Sequence, residues 1–220
     1  MPNPNDGDNT AYGLALWRDR TNDKLFALVA QNNEAVVSMF ELVARADGSV
    51  GMQAVTTWQF PYVWRGQDLT EENDDDPAKD FSPQFEGMVV DQQRGVLYAG
   101  QEDVGIWRID LKTRVAEAAP FVETTAFKPD SPVARDVEGL TLYYAADGKG
   151  YLLASSQGQA HGEAPTLATP GRDDTFAVFS RDGGNAYLGS FSVPKNAALG
   201  TCSSPITGSV KWAVWVVRKG

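Results

Sequence analysis

Hydrophobic residues fall in short runs of four to eight positions, separated by Gly, Asn and Asp. Little helical periodicity is present, so the pattern predicts strands and turns. The runs LALW (14–17), KLFALVA (24–30) and VVSMFELV (36–43) come first. GMVVD (87–91), VLYAG (96–100) and GIWRIDL (105–111) follow, then LTLYY (140–144), YLLAS (151–155) and TFAVF (175–179). A fourth strand is expected to close each group: GMQAVTTWQF (51–60), VAEAAPFVE (115–123) and AYLGSFSV (186–193).

The groups share an opening. Tyr12-Gly13-Leu14, Glu86-Gly87-Met88 and Glu138-Gly139-Leu140 each start a first strand, and Glu86 to Glu138 spans 52 residues. Four-stranded units at a spacing of roughly 40–50 residues are the pattern of β-propeller blades. The fold class expected is therefore all-β, a β-propeller with about three four-stranded blades. A β-sandwich of unrelated strands is the alternative, and the shared opening argues against it. The longer first interval is filled by PYVWRGQDLTEENDDDPAKDFSP (61–83), which is acidic and holds three prolines. It reads as an acidic, solvated inter-blade insertion, because DDDP (74–77) lacks the ligand spacing of an EF-hand loop. The expected organisation is a disordered segment over 1–11, a partial propeller over 12–193 and a divergent tail over 194–220.

Charge narrows the function. With 19 Lys+Arg against 29 Asp+Glu the net charge is −10, which disfavours a nucleic-acid partner. No apolar run reaches the ~18–20 residues of a membrane helix, and no signal peptide is visible in MPNPNDGDNT. Cys202 and His161 are each the single residue of their kind, which excludes disulfides within the chain and sites built on several thiolates or imidazoles. His161 reads as a loop side chain. Phosphate-loop, C-x₅-R and G-x-S-x-G signatures are absent.

The acids at the blade openings carry the chemistry. First strands of propeller blades line the central channel. Asp136 and Glu138 are two apart and so share one face of a strand. Glu86 takes the place of Glu138 in the preceding unit, while Glu102 and Gln157 end matching second strands. Carboxylates with an amide oxygen are hard ligands suited to Ca²⁺. A single acid of this kind would read as a turn cap, but the repetition favours a cation site.

FEGMVVDQQRGVLYAGQEDVGIWRIDL (85–111) and ARDVEGLTLYYAADGKGYLLASSQG (134–158) resemble the calcium-dependent β-propeller phytases of bacteria, the 3-phytase family. The flanking segments 12–29 and 175–193 resemble the same family. The resemblance implies a partial copy of a six-bladed propeller. It also implies a phosphomonoester hydrolase acting on phytate and other inositol phosphates, with Ca²⁺ as cofactor. Glu86, Asp136, Glu138 and Gln157 match calcium ligands. Glu102 and Glu138 match catalytic positions, and Tyr12 matches a substrate-binding one. Family members are extracellular or periplasmic.

The chain departs from the family pattern in four places. The early blades with an Asp-Asp-Pro-Ala-type ligand motif and a phosphate-binding Arg are missing, and DDDP (74–77) is not that motif in place. Asn32 stands where the family has a phosphate-contacting Lys. Beyond Val193 the Asp-Gly-rich ligand loop is missing, and the tail with VKWAVWVV reads as a truncated or frame-shifted frame, against a divergent last strand. The 61–83 segment is inserted. Two other functions stay open: a non-catalytic calcium-binding or protein-interaction propeller fragment, and a calcium-dependent sugar lactonase. Three blades would also leave open edges through which copies could associate.

Overall fold

A computed structural model describes residues 10–71, 80–156 and 175–192. Three antiparallel meanders of strands make up the fold. The first sheet runs β1 (Ala11–Asp19), β2 (Lys24–Gln31), β3 (Val36–Ala44) and β4 (Val50–Gln59), in chain order. A two-stranded hairpin follows, β5 (Val63–Trp64) and β6 (Gln67–Asp68). The second sheet holds β7 (Phe85–Asp91), β8 (Val96–Gln101), β9 (Gly105–Asp110) and β10 (Val115–Ala116), with β11 (Val122–Glu123) also on β9. The third holds β12 (Val137–Tyr144), β13 (Gly150–Ser156), β14 (Thr175–Ser180) and β15 (Tyr187–Ser192). This is the blade pattern of a partial β-propeller.

The three first strands are equivalent in detail. Each pairing of a first with a second strand shifts register at the shared opening: between Ala11 and Leu14, Phe85 and Met88, and Val137 and Leu140. A bulge there re-aims the side chains of Tyr12, Glu86 and Glu138. The glycine that follows serves the packing of blade on blade. A Cβ on Gly13 would lie 2.4 Å from the Glu86 carbonyl oxygen, and one on Gly87 would lie 1.7 Å from that of Glu138. Neighbouring first strands approach so closely that only glycine fits.

Away from the openings, the sheets stack through apolar faces. Trp17, Leu28, Met39, Phe85, Leu97 and Trp107 belong to the cluster between the first two sheets. Ile106, Val137, Leu142, Leu152 and Phe179 belong to the cluster between the second and third. Alternation along β1 follows from this: Ala15 and Trp17 are buried while Leu14 and Leu16 are exposed.

Two expectations change. The run 115–123 is two short strands, because Pro120 has no N–H to donate to β9. The Glu117 and Phe121 amides bond to Arg108 and Ile106 of β9 on either side of the interruption. The segment 61–83, expected as a solvated loop, is anchored at both described ends. Leu69 is fully buried, and Tyr62, Trp64 and Phe81 pack on the first cluster. The Trp64 indole donates to Glu123 Oε1 at 2.8 Å, and Arg65 pairs with the same carboxylate. DDDP, Gln157, His161, Cys202 and the 194–220 tail lie outside the described residues.

Candidate cation and phosphate site

The bulges and glycines bring the openings of the second and third blades together. Glu86 on β7 and Glu138 on β12 face each other, and Asp136 sits immediately before β12. One carboxylate oxygen from each lies within 4.8 Å of the others. Asp136 has a left-handed backbone, φ 67°, which Asp tolerates better than most side chains. This turn carries the carboxylate to the β7 side, while Val137 is buried in the core.

Burial and mutual repulsion make Asp136, Glu138 and Glu102 reluctant to ionise. Asp136 is pushed up to about 7 by burial, then by the charges of Glu138, Asp103 and Glu86. Glu138 is raised by burial and by Glu86. Glu102, at the end of β8, is 5% exposed and is pushed up to about 8, chiefly by burial and further by the charges of Asp136 and Glu86. A hydrogen bond from Gln84 Nε2 to Glu102 Oε1, 2.6 Å long, works in the opposite direction. Tyr12 is hydrogen-bonded to Glu86. Its phenol is pushed up to about 12 by burial first and then by the charges of Glu86, Glu102 and Glu138.

The structure thus assembles Glu86, Asp136 and Glu138 into one trio, with Tyr12 and Glu102 coupled to it. Gln157 lies outside the described residues. Three supporting residues were not singled out in the sequence. Gln84 holds Glu102, and its own Oε1 accepts the Asn33 amide at 2.9 Å, which fixes which way the side-chain amide points. Asp103 receives Arg135 Nε at 2.8 Å and the Ser82 amide at 2.7 Å. Arg135 stacks on Phe81 at 4.5 Å and reaches the Asp80 carbonyl. Asp103 and Arg135 are each adjacent to a candidate acid, in EDVG and ARDVEG. That adjacency is the signal that could have found them. Gln84 gave none, because its partner is 18 residues away.

An oxygen-only donor set suits a hard divalent cation, and the raised carboxyls would be relieved by one. Fold and site therefore define a partial propeller with an acidic junction that fits a cation between two blades. The family follows from comparison with known proteins. A sequence model of the Phytase family matches residues 4–205, and the chain belongs to that family. It is 26% identical over 182 residues to the 3-phytase of Bacillus subtilis (strain 168), covering 83% of this chain and 37% of that protein. The chain thus spans little more than a third of the length of this relative.

Proposed function

We propose that this chain forms the acidic part of a calcium-dependent phytase site, releasing phosphate from phytate and related inositol phosphates. The observation that carries the proposal is the trio Glu86, Asp136 and Glu138, whose oxygens converge across two blade openings. Ca²⁺ held there would neutralise phosphate oxygens and acidify a bound water. It would also reverse the field of an acidic surface that otherwise repels a polyanion.

The remaining roles fall to residues of the chain. Glu86, Asp136 and Glu138 supply the ligand oxygens. Glu102 holds a proton near neutral pH. Gln84 occupies its Oε1, so Oε2 is the atom that carries the proton toward the leaving oxygen of the ester. Tyr12 stays a neutral phenol at any working pH, so its O–H is a donor for a phosphate oxygen once released from Glu86. Arg135 is committed to Asp103 and positions the strand entry instead of meeting substrate.

Phosphate release from phytate, measured with Ca²⁺ and with a chelator, tests the reading. Calcium-dependent release that Glu138→Ala abolishes is the expected result. A chain that binds Ca²⁺ and releases no phosphate would leave a non-catalytic calcium-binding propeller segment as the correct function.

A further inference from the structure

A cleft of about 370 Å³ lies between the first two sheets, walled by residues of both. It opens at the far end of β1 from the acidic trio: Trp17 lies roughly 17 Å along the strand from Tyr12. The floor is apolar. Trp17 stacks on Phe26 at 5.1 Å, and Met39 and Leu111 are buried in the same cluster. The turn from β9 to β10, residues 111–114, forms one wall, and its shape is fixed by the chain itself. Asp110 Oδ1 accepts the Lys112 and Thr113 amides at 2.9 and 2.8 Å. The Leu111 amide donates to the Gly95 carbonyl. The Trp58 indole of β4 donates to the Arg114 carbonyl at 3.0 Å, which ties the turn to the first sheet.

Two features of this cleft are unanswered within the described residues. The indoles of Trp58, Trp64 and Trp107 each donate to a protein oxygen, whereas that of Trp17 has no acceptor among the described residues. Trp17 is 3% exposed. Arg108 Nε is the only fully buried side-chain nitrogen or oxygen without a partner among the described residues, so Trp17 Nε1 keeps an opening, and its ring lines the cleft. A largely buried donor without a partner marks where an outside acceptor belongs. The rim carries the second feature. Lys24 is paired with Glu41 at 2.7 Å, and Asp19 accepts from the Thr21 amide and hydroxyl. The side chains of Lys112 and Arg114 have no hydrogen bond or ion pair among the described residues. On a chain of net charge −10, this rim sets three cations against two anions. The matching cleft between the second and third sheets differs, because its polar groups bond to one another: Arg108 donates to Asn185 and Glu117, and Asn185 donates to Tyr98.

We propose that the cleft of the first junction binds a small aromatic carboxylate with a hydrogen-bond acceptor at its far end. The ring rests on the apolar floor, the acceptor takes the Trp17 N–H, and the carboxylate meets Lys112 and Arg114 at the rim. The site shares no residue with the acidic trio, whose carboxylates repel such a ligand.

NMR of the isotope-labelled full chain tests this through its indole N–H signals, with para-hydroxycinnamate as the probe. Chelator is present, so that no cation bridges the probe to the acidic trio. The assigned Trp17 signal is expected to shift saturably, with a Kd at or below about 1 mM. Cinnamate lacks the far acceptor and is expected to bind about fivefold more weakly. The neutral para-hydroxycinnamyl alcohol lacks the charge and is expected to bind about tenfold more weakly. Lys112→Gln with Arg114→Gln changes two exposed side chains. It should cost para-hydroxycinnamate the same factor of about ten and leave the affinity of the alcohol as it was, which also shows that the variant is folded. No saturable shift at Trp17 in the native chain would overturn the proposal. So would cinnamate or the alcohol binding as tightly as para-hydroxycinnamate, or a double variant that holds para-hydroxycinnamate as tightly as the native chain.

Discussion

At one end of β7, Asp91 is fully buried and is answered from within the protein. Arg181, 1% exposed, grips both of its oxygens at 2.6 and 2.7 Å and stacks on Tyr144 at 4.5 Å. The same guanidinium donates to Gln93 and to the Gly148 and Lys149 carbonyls, so its remaining three N–H groups are used. At the other end, Glu86 meets Asp136 and Glu138, and Glu102 is buried close by. Arg135 lowers Asp136 least of its named influences, being engaged with Asp103. One end of the junction is locked by a cation of the chain. The other brings three carboxylates within 4.8 Å of one another, a repulsion that protons or a metal ion would relieve. A fixed ion pair holds the blades together, and a cluster of mutually repelling carboxylates is what a cation site requires.

Breaking the locked end should have the largest effect. Arg181→Met leaves a buried carboxylate alone and is expected to cost roughly 3–5 kcal/mol in urea unfolding. The matching change at the acidic end, Asp136→Asn, removes a repelled charge and suits the left-handed backbone. It is expected to leave the chelator-treated protein as stable as before or slightly more so. Next in size is calcium itself. A ligand that binds only the folded state stabilises it by about 2.7 kcal/mol at a hundred times its Kd. Melting with and without Ca²⁺ should show such a gain, reduced in Glu138→Gln and intact in variants of the Arg181 end that still fold.

The pH dependence has a defined sign. Glu102 and Asp136 have folded pKa values raised to about 8 and about 7, above their ordinary values of 4.5 and 3.8. Folding therefore favours their protonated forms. Their contribution is fully present below about pH 4 and is lost as pH rises through 7 and 8. The slope is on the order of 1 kcal/mol per pH unit for each titrating carboxyl at most. Unfolding in chelator at several pH values should show stability falling across that window, with a flatter profile in Glu102→Gln. The smallest effect belongs to Gln84→Leu. Loss of the hydrogen bond that lowers Glu102 should push its titration further upward, a change of about 1 kcal/mol. Carboxyl NMR titration reads this directly.

The strands and the repeat were legible because each is written locally. Alternation over a few residues marks β1 or β9, and the acid-Gly opening recurs at fixed places. The trio of acids was legible for the same reason: Asp136 and Glu138 are two apart, and Glu86 is their repeat-mate. What escaped depends on distant partners. Arg181 meets Asp91 across 90 residues, and Trp64 meets Glu123 across 59. No local pattern announces such pairs. The polar composition of 61–83 hid Leu69, Trp64 and Phe81, whose burial depends on the neighbouring sheet and not on their own segment. The interruption of 115–123 was visible in Pro120, but apolar residues on both sides made it read as one strand.

Calcium binding by the purified chain tests the central claim most directly. Isothermal titration at pH 7.5, after chelator removal, should show saturable binding with proton release, because the ligand Asp136 is held partly protonated until the cation arrives. Glu86→Gln with Glu138→Gln should abolish it, while Arg135 and Asp103 stay paired. Absence of binding by the native chain, or binding unchanged in the double variant, would contradict the assignment of this blade junction as the cation site.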